Sequence, residues 1–165
     1  MTWVDERCVA WAHANSHQGA ANLAGHLDAL APPFMELPLF RDGETPQPAW
    51  PRAAAVLTES IHDALDVVLL GMGEDGPVAS LFPGHRALTA PGVVLVVEDS
   101  PKPPPVRVTL TLSMVTTAST VVLLARGAAK RPALARLLAG DAMLPASHLP
   151  NLVIITDQEI AGAHQ

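Results

Sequence analysis

The chain has 165 residues, of which 49% are hydrophobic and 16% charged, and its formal net charge is −6 at pH 7. This length suits one domain with its own hydrophobic core, and the composition is typical of a globular protein. The acidic balance and the few, scattered Lys and Arg residues argue against a nucleic-acid-binding protein. No apolar run is long enough for a membrane span, and "MTWVDER" is not a secretory signal. Cys8 is the only cysteine, which precludes an intrachain disulfide and favours a cytoplasmic protein.

Four apolar runs are predicted to be strands, at 66–71, 92–98, 120–125 and 151–156. They are continuous rather than alternating, which is typical of parallel strands that are covered on both faces. The segment 106–112 alternates and predicts a strand with one more polar face. The segment 34–40 is a weaker candidate, because Pro38 favours an edge position.

Three segments between the strands are predicted to be helices, at 17–30, 51–65 and 127–140. Ser16 suits the N-cap of the first helix, and Pro51 and Pro132 suit the first turns of the other two. Gly140 is a suitable end for the last helix. Because strands alternate with helices, we expect the α/β class, with a mostly parallel sheet that carries helices on both faces. The proline-rich segment 100–107 is predicted to be a loop within a single domain, 1–165.

The segment "LLGMGEDGPVASLFPG", residues 69–84, predicts a strand, a glycine-rich turn and a very short helix. The ends of parallel strands are where open α/β sheets bind ligands, and glycines let a ligand approach the backbone. The spacing of the glycines matches neither the dinucleotide motif nor the P-loop. The alternative is a tight structural turn in which Asp75 or Gly76 caps the helix and Pro77 occupies its first position.

A longer stretch resembles the signature of the 6-phosphogluconolactonases, approximately D-x-x-x-L-G-M-G-x-D-G-H-T-A-S-L-F-P-G. Here it reads "DVVLLGMGEDGPVASLFPG", and "WVDERCV", "VRVTLTL", "LLARGAAKRPAL" and "LPASHL" resemble further family segments in the same order. The resemblance implies a Rossmann-like three-layer sandwich. It also implies hydrolysis of 6-phosphogluconolactone to 6-phosphogluconate in the pentose phosphate pathway, with no cofactor and no metal.

Five substrate-binding residues follow from the same resemblance. Arg7, Arg107 and Lys130 match family cations that bind the phosphate or the sugar acid, and Gly73 and Gly76 would admit the substrate to the backbone. The alternatives are a salt bridge from Arg7 to a neighbouring carboxylate and a solvated surface for the other two cations. The implied partner is a small sugar phosphate, without nucleic acid or membrane, and a homo-oligomer is possible.

The sequence departs from the family pattern at the proposed proton acceptor. The family motif has a histidine as general base where this chain has Pro77, which has neither a titratable group nor an amide hydrogen. Asp75 is the candidate replacement within the turn. The alternatives are Glu74, His85 and a Ser16–histidine pair, although Ser16 is better suited to capping. We also predict that the chain has no structural metal site.

Two further departures concern the N-terminal part. The family's Ser-Asn pair after "DER" is Ser16-His17 here, and we expect the domain to lack the family's first strand and its G-G-S-T phosphate loop. Two functions are therefore weighed: a lactonase-type hydrolase, and a catalytically impaired homologue that binds a sugar phosphate or a partner protein. A truncated gene product is the third possibility.

Overall fold

The computed structural model describes residues 1–28, 34–61 and 64–159. The strands are β1 (Asp5–Arg7), β2 (Val67–Gly71), β3 (Val94–Val97), β4 (Arg107–Leu110), β5 (Thr120–Ala125) and β6 (Leu152–Thr156). The helices are α1 (His17–Leu23), α2 (Pro46–Ser60), α3 (Leu112–Thr116) and α4 (Arg131–Leu138). None of the helices in these ranges is long and apolar enough to cross a membrane.

The backbone divides into two compact units. The first comprises Met1–His62 and Val93–Leu110, and the second comprises Asp63–Gly92 and Thr111–Gln165. The first unit holds a three-stranded antiparallel sheet in the order β1-β4-β3. All four residues of the central strand β4 are buried, and α2 packs against β3 and β4.

The second unit holds a three-stranded parallel sheet in the order β2-β5-β6. Leu69 pairs with Val122 and Gly71 pairs with Leu124, so that these strands end at the same edge of the sheet. The α/β class is confirmed, whereas the expectation of a mostly parallel sheet is not confirmed. A continuous apolar run such as 92–98 does not reveal the direction of its neighbour, and β3 pairs antiparallel with β4.

One face of the parallel sheet is exposed. Five large apolar side chains of the sheet are exposed on this face: Val67, Leu69, Leu124, Val153 and Ile155. The prediction that these strands are covered on both faces is therefore wrong for this sheet within the described residues. Apolar composition establishes that a strand can be buried, but only the packing of other elements decides which faces are covered.

The helix predictions hold in position but not in length. Ser16 caps α1, as predicted, because its side chain accepts a hydrogen bond from the amide of Gly19. The helix ends at Leu23 rather than at residue 30, although residues 29–30 lie outside the described ranges. Helix α2 begins at Pro46, so that Pro51 lies inside it and not in its first turn. The earlier start brings Ala49 into the buried stripe that the helix presents to the core.

The remaining predictions are confirmed in part. Pro132 lies in the first turn of α4, and Gly140 follows the helix in a left-handed conformation, with φ of 76°. The predicted strand at 34–40 reduces, in its described part, to a single parallel bridge between Leu37 and Thr2. Strand β4 ends two residues earlier than predicted, because Thr111 caps α3 by accepting from the amide of Met114.

The segment after the glycine turn does not form a helix. Val78 pairs with both Met72 and Leu81 in isolated antiparallel bridges, and the carbonyl of Pro77 accepts from the amide of Gly73. The prediction that Pro77 begins a short helix is therefore wrong. Proline suits a helix start, but here the backbone hydrogen bonds close a compact turn instead.

Candidate active site

The two arginines predicted to bind the substrate lie opposite each other on neighbouring strands. Arg7 ends β1 and Arg107 begins β4, and the antiparallel register pairs them directly. The Arg7 Nε is buried and has no hydrogen-bond partner in the described part of the chain. No described carboxylate forms a salt bridge with Arg7 either. Buried donors in proteins almost always have a hydrogen-bond partner, so an unpaired one needs an explanation. An anionic ligand that accepts from this nitrogen would provide it.

Arg107 also has a structural role in the loop that precedes β4. Its Nε donates to the carbonyl of Pro104 at 3.1 Å, and its Nη2 donates to that of Lys102 at 2.7 Å. Burial and the neighbouring charge of Arg7 lower the pKa of Arg107, while the charge of Asp5 acts in the opposite direction. The guanidinium therefore stabilises this loop, and any contact with a ligand would come in addition.

The buried carboxylate of Glu6 binds the start of α1. One oxygen accepts from the amides of Arg7 (2.7 Å) and His17 (2.8 Å). The other accepts from the amide of Gln18 (2.7 Å) and the hydroxyl of Ser16 (3.2 Å). The amides at the start of a helix carry partial positive charge and attract anions. Glu6 already provides that anion, which explains a carboxylate at this position in "DER".

The imidazole of His17 is held by Asp5. Nδ1 of His17 lies 3.2 Å from Oδ1 of Asp5 and 3.3 Å from its carbonyl oxygen. The Asp5 side chain is 5% exposed and the His17 side chain 40% exposed. Burial alone lowers the pKa of His17, but the hydrogen bond to Asp5 and the charge of Asp5 together raise it above its ordinary value. The result is a histidine–aspartate pair next to Arg7.

Two of the three glycines in the 71–76 turn are required by the packing around the turn. A Cβ on Gly73 would lie 2.6 Å from Cγ of Pro77, and a Cβ on Gly76 would lie 2.4 Å from Cδ2 of Leu144. Gly76 also has φ of 92°, which disfavours other residues. The amide of Gly73 donates to Pro77 and that of Gly76 to the carbonyl of Gly73. These contacts account for the bare backbone at Gly73 and Gly76 without a ligand.

Asp75 and Lys130 follow adjacent strands of the parallel sheet. Asp75 is exposed in the turn after β2, and Lys130 ends a 3-10 turn, Ala128–Lys130, that follows β5. Both segments leave the same edge of this sheet, since β2 and β5 are parallel neighbours. The ammonium of Lys130 forms no ion pair with a described residue. It is thus the second available cation among the predicted ligands.

Comparison with known proteins identifies the family. Residues 1–155 match the model of the family described as "Glucosamine-6-phosphate isomerases/6-phosphogluconolactonase". The chain belongs to this family. A probable 6-phosphogluconolactonase of rice (Oryza sativa subsp. indica) is 36% identical over 141 residues, which cover 78% of this chain and 43% of that protein. The 6-phosphogluconolactonase of Bos taurus is 38% identical over 151 residues, which cover 84% of this chain and 55% of that protein.

A solved family structure supports the fold. The crystal structure of a 6-phosphogluconolactonase from Thermotoga maritima matches with a TM-score of 0.82 at 24% identity, over 94% of this chain and 70% of that one. The likeness in sequence and structure therefore extends over most of this chain. The chain spans about half the length of the curated family members that it matches.

Two of the other residues weighed as proton acceptors, His85 and Ser16, have local structural roles. Nδ1 of His85 accepts from the amide of Ala87, and its ring packs edge-to-face on Phe82 at 6.2 Å. The hydroxyl of Ser16 contacts the amide of Gly19 and the carboxylate of Glu6, which makes it a cap rather than a nucleophile. The prediction of Asp75 as the base stays a prediction.

A cavity of about 230 Å³ lies in the first unit, beside the start of α1. Its lining residues are Glu6, Val9, Trp11, Ser16, Gln18, Pro38, Phe40, Arg41 and Asp42. They include none of the six site residues predicted from the sequence. No group of three or more His, Cys, Asp or Glu in the described ranges is arranged to hold a metal ion.

Sequence reasoning missed the pairing of Asp5 with His17 and the capping role of Glu6. The two partners of the pair lie twelve positions apart, on β1 and at the first position of α1. The available signal was the histidine that follows Ser16, where the family has asparagine. A titratable ring at that position, next to a predicted ligand-binding strand, was a reason to look for a carboxylate partner.

Proposed function

We propose that this chain is a 6-phosphogluconolactonase-type hydrolase, which opens 6-phosphogluconolactone to 6-phosphogluconate. The proposal is carried by one observation: the family members that it matches at 36–38% identity bear that name. Opening a lactone requires cations for the anionic substrate, donors for the developing oxyanion and a base that activates water. The pentose phosphate pathway is the setting implied by this activity.

The cationic part of the proposal rests on three side chains. Arg7 has a buried, unpaired Nε, which suits a phosphate or carboxylate oxygen. Arg107 lies opposite Arg7, and Lys130 is free of ion pairs with described residues. We assign Arg7 and Arg107 to anion binding in the first unit, and in the second unit we assign Lys130 to anion binding and Gly73 and Gly76 to close approach of the substrate to the backbone. Within the turn, Asp75 is the candidate acceptor that the sequence predicts.

A second candidate function is a homologue that binds a sugar phosphate or a partner protein without turnover. The observation in its favour is Pro77, which is buried and stands where the resemblance implies a histidine base. The same cations would then hold the ligand, while no group of the turn would accept a proton from water. The two functions share the binding step and differ only in hydrolysis.

The decisive experiment measures hydrolysis of 6-phosphogluconolactone by the purified chain against the spontaneous rate in buffer. We expect catalysis above that background and a strong loss in Arg7→Gln. Arg126→Gln is the matched control, because the Arg126 side chain is 94% exposed and lies 3.8 Å from its nearest carboxylate. A chain that does not exceed the background, either as it stands or as Pro77→His, would refute the hydrolase.

Binding is measured separately from turnover. Addition of millimolar 6-phosphogluconate should raise the melting temperature of the chain, because a ligand that binds only the folded state stabilises it. A shift without hydrolysis would support the second candidate. The absence of any shift, together with the absence of hydrolysis, would exclude a sugar phosphate as the ligand for both functions.

Two further features belong to the proposal. We place the protein in the cytoplasm, although the rice relatives carry the word "chloroplastic" in their names. Cell fractionation with an antibody against the chain distinguishes the two compartments. A homo-oligomer is proposed as well, and sedimentation velocity of the purified chain measures it.

A further inference from the structure

The pair formed by Asp5 and His17 determines which ring nitrogen carries the proton. Asp5 is nearly fully buried, and its carboxylate and carbonyl oxygens both lie within 3.3 Å of Nδ1 of His17. Two acceptors at Nδ1 require that this nitrogen donates, so that the neutral ring keeps its lone pair on Nε2. A carboxylate that holds a histidine in one tautomer is the arrangement that prepares an imidazole to accept a proton.

The other ring nitrogen is not used by the fold. Nε2 of His17 has no hydrogen-bond partner among the described residues, and the side chain is 40% exposed. By contrast, Nδ1 of His13 accepts from the amide of Asn15, and Nε2 of His148 is within hydrogen-bond distance of the carbonyl of Ala142. Of these three histidines, His17 alone combines a buried carboxylate partner on one ring nitrogen with a second ring nitrogen that has no partner among the described residues.

The anion-binding residues of the first unit lie on the same strands. Asp5 and Arg7 are two positions apart on β1, and their side chains therefore point to the same face of the sheet. Arg107 lies opposite Arg7 in the antiparallel register. The charge of Arg7 is close enough to act on the titration of His17. A substrate whose anionic group binds Arg7 would therefore lie close to the imidazole.

We propose that His17 is the catalytic base of this chain and that Asp5 is its positioning residue. The proposal rests on the hydrolase function above and deepens it. It names a proton acceptor that replaces the histidine of the family motif, whose position Pro77 occupies. It also gives a function to the histidine that stands in place of the family's asparagine after Ser16.

The hydrolytic step balances with this one residue. Nε2 of His17 takes a proton from a water molecule while the water oxygen bonds to the lactone carbonyl carbon. The tetrahedral intermediate collapses, the bond between that carbon and the ring oxygen breaks, and Nε2 returns the proton to the ring oxygen. The products are a hydroxyl group and a carboxylic acid, which loses its proton to solvent. Asp5 stays ionised and stabilises the imidazolium during the step.

The charges around the ring favour this role. Asp5 raises the pKa of His17 against the effect of burial, and Arg7 lowers it. Glu6, the remaining charged residue of β1, binds the amide of His17 and not its ring. An imidazole whose pKa is raised by a carboxylate partner accepts a proton more readily than an isolated one.

The test compares the intact chain with His17→Asn, which restores the family residue, and with His26→Asn as the matched control. His26 is an exposed histidine of the same unit, and the described residues offer no partner to its ring. We expect kcat to fall about 100-fold or more in His17→Asn, in line with the loss of a general base. The KM and the thermal shift with 6-phosphogluconate should stay within about twofold of those of the intact chain.

The pH profile separates catalysis from a structural role. Plots of kcat/KM against pH should show an acidic limb in the intact chain and in His26→Asn, and this limb should disappear in His17→Asn. Asp5→Asn should move the limb to lower pH, because the imidazole loses the carboxylate that raises its pKa. If His17→Asn does not fold, the position of the limb in Asp5→Asn decides the assignment.

Three outcomes overturn the inference in distinguishable ways. If His17→Asn keeps kcat within twofold and retains the acidic limb, His17 is not the base, while the hydrolase function stands. If the limb does not move in Asp5→Asn, Asp5 is not the positioning residue and the pair is structural. If the intact chain does not exceed spontaneous hydrolysis, the function itself fails, and the inference fails with it.

Discussion

Two regions of this chain differ in how they use their polar groups. At the corner of β1 and α1, the side chains are charged, and two nitrogens remain unpaired among the described residues: Nε of Arg7 and Nε2 of His17. In the 71–76 turn, the amides of Gly73 and Gly76 are bonded within the turn, and the glycines contact Pro77 and Leu144. The turn carries the longest family motif, but the available titratable nitrogen lies at the corner.

The difference shows that a motif can be retained for its packing. Two glycines in "GMGEDG" remain necessary, because a Cβ at Gly73 or Gly76 would collide with a neighbour. This requirement holds whether or not the turn contributes to catalysis. At the corner, by contrast, no contact among the described residues explains why Nε of Arg7 is left unpaired. Buried donors without partners are rare in proteins, so this nitrogen is better explained by a ligand than by packing.

The largest effect on stability is expected from Glu6→Gln. Both carboxylate oxygens of Glu6 accept hydrogen bonds, from three amides and one hydroxyl in all. In glutamine an NH2 group replaces one of these oxygens, and its hydrogens would face the backbone amide that donates to that oxygen. We expect the free energy of unfolding to fall by about 4 kcal/mol, measured by urea denaturation. Glu59→Gln, at an exposed position of α2, should change it by less than about 0.5 kcal/mol. Equal effects would refute the capping role of Glu6.

The packing of the turn is tested by Gly76→Ala against Gly92→Ala. Both glycines have φ near 90°, but only Gly76 has a neighbour within 4 Å of the added Cβ. The left-handed backbone alone costs an alanine about 1 kcal/mol, and the collision with Leu144 adds about 1–2 kcal/mol. The same denaturation measurement should therefore place Gly76→Ala about 2–3 kcal/mol below the intact chain. If the two variants lose equal stability, the contact with Leu144 is not limiting.

The start of α1 is tested by Ser16→Ala against Thr45→Ala. Ser16 accepts from the amide of Gly19, whereas Thr45, the N-cap of α2, makes no such side-chain bond. We expect Ser16→Ala to lower the melting temperature in proportion to a loss of about 1 kcal/mol. Thr45→Ala should leave it nearly unchanged, and a drop as large as that in Ser16→Ala would contradict the difference between the two caps.

The smallest effect concerns the dependence of stability on pH. Because the folded-state pKa of His17 is raised, the protonated ring stabilises the fold below its ordinary pKa, about 6.5. This contribution disappears as the pH rises through the folded-state pKa. The intact chain should therefore exceed His17→Asn in stability by more at pH 5 than at pH 9. A difference that is constant, or that grows with pH, would show that Asp5 does not raise the pKa.

Local patterns predicted the elements better than their arrangement. The strands β2, β5 and β6 lie within the predicted runs, and Ser16, Pro132 and Gly140 mark helix ends as expected. Each of these features depends on a short stretch of consecutive residues. By contrast, the pairing of Arg7 with Arg107 joins positions a hundred residues apart, and no local pattern reports such a contact.

The same distinction applies to the candidate site. Resemblance supplied Arg7, Arg107 and Lys130 by position, but it did not reveal that Arg107 holds the loop carbonyls of Lys102 and Pro104. It also did not reveal the carboxylate partner of His17. These contacts arise from the packing of β1 against β4 and of α1 against β1, and they depend on distances that sequence spacing does not contain.

The sequence by itself determined the α/β class, the family, the positions of most elements and the absence of a histidine at position 77. These depend on composition, on apolar periodicity and on residue identity along the chain. Only the tertiary structure decided that half of the strand pairing is antiparallel and that Asp5 holds His17. Within the described residues, it also decided that one face of the parallel sheet is exposed and that Nε of Arg7 has no partner. The physical reason is that strand direction, burial and the proton acceptor's environment are set by contacts between distant segments.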